Sequence, residues 1–306
     1  MERLQVDVLS KKNMIILTVF LSILLIAAAL IFGVYVFALA AVSYGATLTV
    51  ELLFAKFRHK ELGYGWMVTP LVFTLFLPPT LPLWMAVVGA SFGTFFGKSL
   101  FGGFGKNIFN PAVVGVLFIS ISFPADMATA WLDPISEIIK STTPLIELNS
   151  GVAFDYTFRE LLFGQVSGAL GETFKLGIII LGLLLIILRI IDWRIPVFYL
   201  GSVFVLTYVG NMIDPNTYKD PLLSLMVGSV MFAAFFVATD PVTSPELPVG
   251  RIIYAIGLGI ITVVIRYYSA FPEGVIFAVI IMNAVAPLID GWNSKADTLE
   301  EVEGSE

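Results

Sequence analysis

The sequence predicts an all-α polytopic membrane protein: about ten transmembrane helices in two inverted five-helix repeats, with an extracytoplasmic loop between the halves. Three observations predict it. The chain is 58% hydrophobic and only 13% charged, whereas soluble domains carry about 25% charged residues. Its uncharged stretches have lengths that make one or two membrane spans. One long polar segment, Phe123 to Phe174, separates five such spans from five more.

A hydrocarbon core about 30 Å thick needs about 20 helical residues. Asn13–Val50 holds 38 uncharged residues, enough for two helices, with Gly33 and Ser43-Tyr44-Gly45 as candidate breaks. Leu62–Gly97 holds 36, again two, broken at Pro78-Pro79-Thr80-Leu81-Pro82. Asn107–Ala125 gives the fifth. Beyond the polar segment come Leu176–Leu188, Ile195–Ile213, Pro221–Thr239, Ile252–Ile265 and Gly274–Ile289. Shorter stretches extend when flanking Lys or Arg snorkel to the interface. The boundaries follow: a first membrane half at 1–122, a loop at 123–174, a second half at 175–290 and an acidic tail at 291–306.

Lysine and arginine set the orientation. With the N-terminus inside, 12 of the 17 fall on the inner side and 5 on the outer. Both termini are then cytoplasmic and the polar segment lies outside. An odd number of spans per half makes similar halves inverted. Internal likeness supports this: a proline-rich break precedes a glycine-containing span at Pro78–Pro82 and again at Asp240–Pro245. Gly105–Ala112 also resembles Glu273–Ile280.

Composition excludes several chemistries. Without cysteine there are no disulfides, iron–sulfur ligands or thiol nucleophiles from this chain. The single histidine, His59, stands among Lys56, Arg58 and Lys60 and reads as an exposed loop residue, so no metal site is expected. Basic residues are few and dispersed, which argues against nucleic acid.

Three motifs remain. Gly102-Gly103-Phe104-Gly105-Lys106-Asn107-Ile108-Phe109-Asn110-Pro111-Ala112 reads as a capped start of the fifth span, with Asn110 as cap and Pro111 in the first turn. It also reads as a place where Asn107 and Asn110 face a cavity and bind a polar ring. Asp240-Pro241-Val242-Thr243-Ser244-Pro245 carries a carboxylate at the end of an uncharged span: a turn cap, or a group on an ion or cofactor route. Lys140-Ser141-Thr142-Thr143-Pro144-Leu145 opens a short helix with Thr143 as cap. A phosphate esterified to that hydroxyl would meet the free N–H groups of the first turn. A hydroxyl on an exposed loop is accessible to a modifying enzyme.

Together these motifs resemble the family that holds the D subunit of the Rnf complex and the B subunit of the sodium-pumping NADH:quinone oxidoreductase. The matching stretches are Gly105–Ala112, Ser141–Leu145, Gly171-Glu172-Thr173, Ile191–Pro196, Ala238–Pro245, Glu273–Ala278 and Met282-Asn283-Ala284. The resemblance implies a membrane subunit of an ion-translocating ferredoxin:NAD+ oxidoreductase in a prokaryotic inner membrane, with a core like that of urea transporters. It implies FMN joined through its phosphate to Thr143 by a flavin transferase, with Thr142 as the fallback acceptor. A noncovalent riboflavin near Asn107 and Asn110 is implied as well, with Asp240 in the ion or flavin environment. Implied partners are the other members of the complex, among them a second FMN-bearing protein and iron–sulfur proteins. The modification pattern departs from the family's at Glu137 and Lys140, where Asp and a hydroxyl residue are usual; Lys140 is expected to face the phosphate. The rival reading is a small polar solute channel or transporter without redox chemistry. A pore of the aquaporin type would want a second Asn-Pro-Ala, and the later half offers only Asn283-Ala284-Val285-Ala286-Pro287.

Overall fold

The structure, a computed structural model, describes residues 10–59, 61–150, 154–269, 271 and 273–303, with side chains described to residue 292. Arg3 and Lys60 of the charge count, and the last three residues of the acidic tail, lie outside the described residues.

Two long helices open the chain. The first, α1 (Lys11–Phe32), starts where Ser10 Oγ accepts from the Asn13 N–H at 3.4 Å. It stops at Gly33, whose φ of +93° is costly for any other residue. Next comes α2 (Tyr35–Arg58), which runs straight through Ser43-Tyr44-Gly45; only the Gly33 break is used. The stretch read as spans three and four divides into the short α3 (Thr69–Leu75), preceded by a 3-10 turn at Tyr64–Trp66, and α4 (Leu83–Thr94). A π turn at Phe95–Ser99 continues α4. Then α5 (Pro111–Ser122) closes the first set.

The polar segment holds α6 (Pro124–Thr129), a hairpin of β1 (Trp131–Leu132) and β2 (Ile139–Lys140), α7 (Pro144–Ser150) and α8 (Phe158–Phe163). The hairpin is a small addition to the expected all-α architecture. This segment packs down onto the helices: Leu145, Leu148, Leu161 and Leu170 are buried in the core. Its backbone also joins the proline-rich break, with Leu170 N–H donating to Leu77 O at 3.1 Å and Gly171 N–H to Leu75 O at 2.6 Å.

The later helices are α9 (Lys175–Ile187), α10 (Arg194–Ile213), α11 (Pro221–Met226), α12 (Val230–Phe236), α13 (Pro248–Tyr268) and α14 (Gly274–Glu303). The expected single span Pro221–Thr239 is therefore two short helices. Gly228, at φ +67°, breaks it. Irregular backbone at membrane depth is tolerated only where its polar groups are satisfied internally. Lys175 Nζ donates to Gly228 O at 2.6 Å, and Arg266 Nη1 and Nη2 donate to Ser224 O and Val227 O at 2.8 and 3.2 Å. Ser229 donates its N–H and its hydroxyl to the Glu273 carboxylate at 3.0 and 2.6 Å.

Among the described residues five helices, α1, α2, α10, α13 and the Gly274–Trp292 part of α14, are long and apolar enough to cross a membrane. The chain is a multi-pass, predominantly helical membrane protein. Its packing has a recurring pattern: α2 lies on α4 and α4 on α5, while α10 lies on α13 and α13 on α14. The α4–α5 crossing is close because it is built on glycine. A Cβ on Gly115 would sit 2.5 Å from Gly89 O, and one on Gly93 2.7 Å from Gly115 N, the small-residue contact typical of membrane helix pairs.

Candidate functional site

Three of the four site residues read from the sequence converge. Asn107, Asn110 and Asp240 line an inner cavity of about 70 Å³ with Lys98, Phe104 and Phe236. Both readings of Asn110 hold at once, because its amide has two ends. The Oδ1 caps α5, accepting from the N–H groups of Ala112 and Val113 at 3.1 and 3.4 Å. The Nδ2 donates to Asp240 Oδ2 at 3.4 Å. Asp240 likewise caps its own turn, accepting from Val242 N–H at 3.1 Å and the Thr243 hydroxyl at 3.3 Å. Asn107 donates to Phe109 O at 3.1 Å, and its Oδ1 has no partner among the described residues.

Behind these groups stand residues to which the sequence reading gave no role in the site. Asn283 accepts the Asn110 backbone N–H at 3.0 Å and donates to Thr243 O and the Tyr254 hydroxyl at 3.1 and 3.0 Å. One buried amide thus ties α5, α13, α14 and the Asp240 turn together. Lys98, in the π turn, pairs with Glu51 of α2 at 2.7 Å, and both are buried. A charge inside an apolar span is the signal that marks such residues. Lys98, Lys175 and Arg266 served in the charge count only as interface markers, yet all three are buried.

Thr143 lies elsewhere, on an outer cavity of about 280 Å³ lined by Phe76, Trp131, Glu172, Glu273 and Phe277 among others. Contrary to the exposed loop expected, Thr143 is only 7% exposed, because α7 is packed into the core through Pro144, Leu145 and Leu148. No hydrogen bond engages its hydroxyl among the described residues. The Thr142 hydroxyl, in contrast, donates to Glu147 Oε1 at 2.8 Å. Lys140 pairs with Asp133 across the hairpin. Burial tends to raise the Asp133 carboxyl. The Lys140 ammonium, with the N–H groups of Ile135 and Ser136, outweighs that and holds it below the usual carboxylate range.

The two cavities share walls. Val72 of α3 and Pro111 of α5 line the inner one, and Phe76 and Ser120 the outer one. Pro111 and Ser120 are about 14 Å apart along α5 at 1.5 Å per residue. Between the cavities Phe232 is fully buried, with its ring 5.2 Å from Phe76 and 5.5 Å from Phe236.

The outer cavity suits a flavin ring: apolar and aromatic walls, two carboxylates and a free hydroxyl at its edge. The inner cavity as it stands is too small for one.

The sequence matches the NQR2, RnfD, RnfE family over residues 5–298. It is 36% identical over 272 residues to the D subunit of the ion-translocating oxidoreductase complex of Alcanivorax borkumensis, covering 79% of each chain. Identity to the D subunit of the Na(+)-translocating ferredoxin:NAD(+) oxidoreductase complex of Acetobacterium woodii is 34% over 277 residues, 89% of this chain and 85% of that one. To the B subunit of the Na(+)-translocating NADH-quinone reductase of Ectopseudomonas mendocina it is 36% over 260 residues, 81% of this chain and 64% of that one. With nearly its whole length matched, this chain belongs to the NQR2, RnfD, RnfE family.

Proposed function

We propose that the chain is the flavin-carrying membrane subunit of an Rnf-type complex, relaying electrons between ferredoxin and NAD+ while Na+ or H+ is translocated. The relatives' names support the complex. The observation that carries the flavin is Thr143: a largely buried residue whose hydroxyl has no hydrogen-bond partner among the described residues, at the edge of an aromatic cavity, beside a Thr142 that is already engaged.

FMN, esterified to Thr143 through its phosphate by a flavin transferase, supplies reversible electron transfer when bound. The chain's own residues hold and shield it. Phe76, Trp131 and Phe277 offer faces for a planar ring. Glu172 and Glu273 give the cavity polar edges, and Lys175 and Arg266 oppose their charge. With no cysteine in the chain, iron–sulfur centres come from partner proteins, and a second FMN-bearing partner completes the relay. The inner cavity, at about 70 Å³, is smaller than a riboflavin ring system, and no step is assigned to riboflavin there.

The fold reading is ten crossings in two inverted halves, both termini cytoplasmic, in a prokaryotic inner membrane. The recurring packing of α2–α4–α5 and α10–α13–α14 supports it, as do the short α3 and α12, which occupy corresponding places as broken helices.

The test is a denaturing gel viewed under ultraviolet light, with the chain expressed beside its flavin transferase. A fluorescent band is expected in the wild type and in Thr142→Ala, and none in Thr143→Ala. Absence of the band in the wild type overturns the flavin assignment.

A further inference from the structure

We infer that a third cavity, at the end of α9 away from Lys175, is a phosphate site for the headgroup of an anionic phospholipid. Arg189 and Arg251 hold the phosphate, and the acyl chains lie on the apolar face of α9.

Asp192, Trp193 and Arg194, in the turn from α9 into α10, line neither cavity described so far. Asp192 and Trp193 instead line a separate space of about 290 Å³, with Arg189, Ser244 and Arg251. Ile190, Ile191 and Pro241 stand between this space and the inner cavity, lining both.

The charge of the wall favours an anion. One carboxylate, Asp192, serves two guanidiniums: Arg194 Nη1 donates to it at 3.0 Å and Arg251 Nη1 at 2.6 Å. Pro245 O accepts from Arg251 Nε at 3.0 Å. Asp290 draws on Arg251 as well, but neither it nor Glu246 lines the cavity. Arg189 is exposed, and no hydrogen bond or ion pair engages its side chain among the described residues. It ends α9 at a left-handed φ of +55°, a position that glycine usually takes. Glycine would suit that backbone better, and arginine adds a charge at the rim. The guanidinium fork matches two phosphate oxygens at once.

A lipid tail has its own track. Ile180, Leu183, Leu184 and Ile187 of α9 are between 40% and 72% exposed, and their spacing puts them on one face. The strip is about 10 Å long and ends two residues before Arg189. Trp193 is 48% exposed, with the Arg194 guanidinium 5.3 Å from its ring centroid; exposed indoles of this kind mark the membrane–water boundary. Acyl chains on the strip and a phosphate at the arginines beyond it reproduce the way a phospholipid lies at the edge of a bilayer. A free phosphate would use the arginines alone.

The test is native mass spectrometry of the full chain in detergent, with phosphatidylglycerol, phosphatidylcholine and inorganic phosphate as probes. Each basic residue at an anionic lipid surface is worth about fivefold in affinity. The wild type is expected to retain one phosphatidylglycerol at least about fivefold more strongly than phosphatidylcholine. Arg189→Gln is expected to lose about fivefold of that retention, and Arg189→Lys to keep most of it. Because Arg189 is exposed, both variants are expected to melt with the wild type when no lipid is added. Arg159→Gln, at an exposed arginine of α8, is expected to retain lipid as the wild type does. Equal retention of the two lipids overturns the anionic site. So does retention unchanged in Arg189→Gln, or lost equally in Arg159→Gln. Binding of inorganic phosphate as strong as that of phosphatidylglycerol overturns the lipid as the source of the phosphate.

Discussion

The backbone N–H of Asn110 donates to Asn283 Oδ1 at 3.0 Å across 173 positions of sequence. The amide of Asn283 meanwhile donates to Thr243 O and the Tyr254 hydroxyl. Asn283→Ala removes one acceptor and two donors from a site where no water replaces them easily. A loss of about 1–3 kcal/mol is expected for the groups left unpaired, read as a lower melting temperature in detergent. Asn283→Asp, which keeps the acceptor, is expected to lose less.

Lys98 and Glu51 form a buried pair at 2.7 Å. Removing one partner strands the other charge, at a cost of about 3–5 kcal/mol, whereas replacing both with apolar residues is often neutral. Lys98→Met is therefore expected to lower yield and melting temperature sharply, and Lys98→Met with Glu51→Leu to recover most of the loss. A double-mutant cycle on thermal unfolding measures the difference. Equal damage in the single and double variants would show that packing, not charge pairing, holds this corner.

The hairpin pair gives a pH dependence. Asp133 has a depressed carboxyl, so its contribution is present above the ordinary carboxylate value, about 3.9, and fades as pH falls through the depressed one. Limited proteolysis of the 131–140 hairpin is expected to speed up only in that acid range. Lys140→Ala is expected to remove the acid step and leave flavin attachment at the wild-type level, as seen on the gel, since the ammonium is engaged by Asp133.

Phe232 fills the wall between the two cavities. Phe232→Ala opens a void there and is expected to cost about 3–5 kcal/mol. Phe232→Leu, closer in volume, is expected to keep most of the stability. Thermal unfolding in detergent separates the two.

Much of this was legible before any coordinates. Uncharged stretches located the helices, since hydropathy reports burial in lipid directly. Gly33, Pro78–Pro82, Asn110 and Pro111 announced their breaks and caps because those are local backbone rules. The split of Pro221–Thr239 at Gly228 was not legible: it depends on Lys175, Arg266 and Glu273, which arrive from distant helices to satisfy the exposed backbone. The role of Asn283 was hidden for the same reason. Its stretch had been singled out by resemblance, but nothing local says which amide will meet Asn110. The Lys140–Asp133 pair was not legible because a hairpin of four paired residues has too little pattern to betray its register, and register decides which carboxylate a lysine meets.

The depth of Thr143 has a consequence for the order of events in the cell. With α7 seated through Pro144, Leu145 and Leu148, Thr143 as a residue is 7% exposed on the wall of the outer cavity, which leaves little room for a large enzyme to approach. A transferase that esterified this threonine would meet less obstruction while the segment is still loose, during or just after insertion. On that footing tertiary closure would compete with maturation, and a chain that closed early would be labelled more slowly.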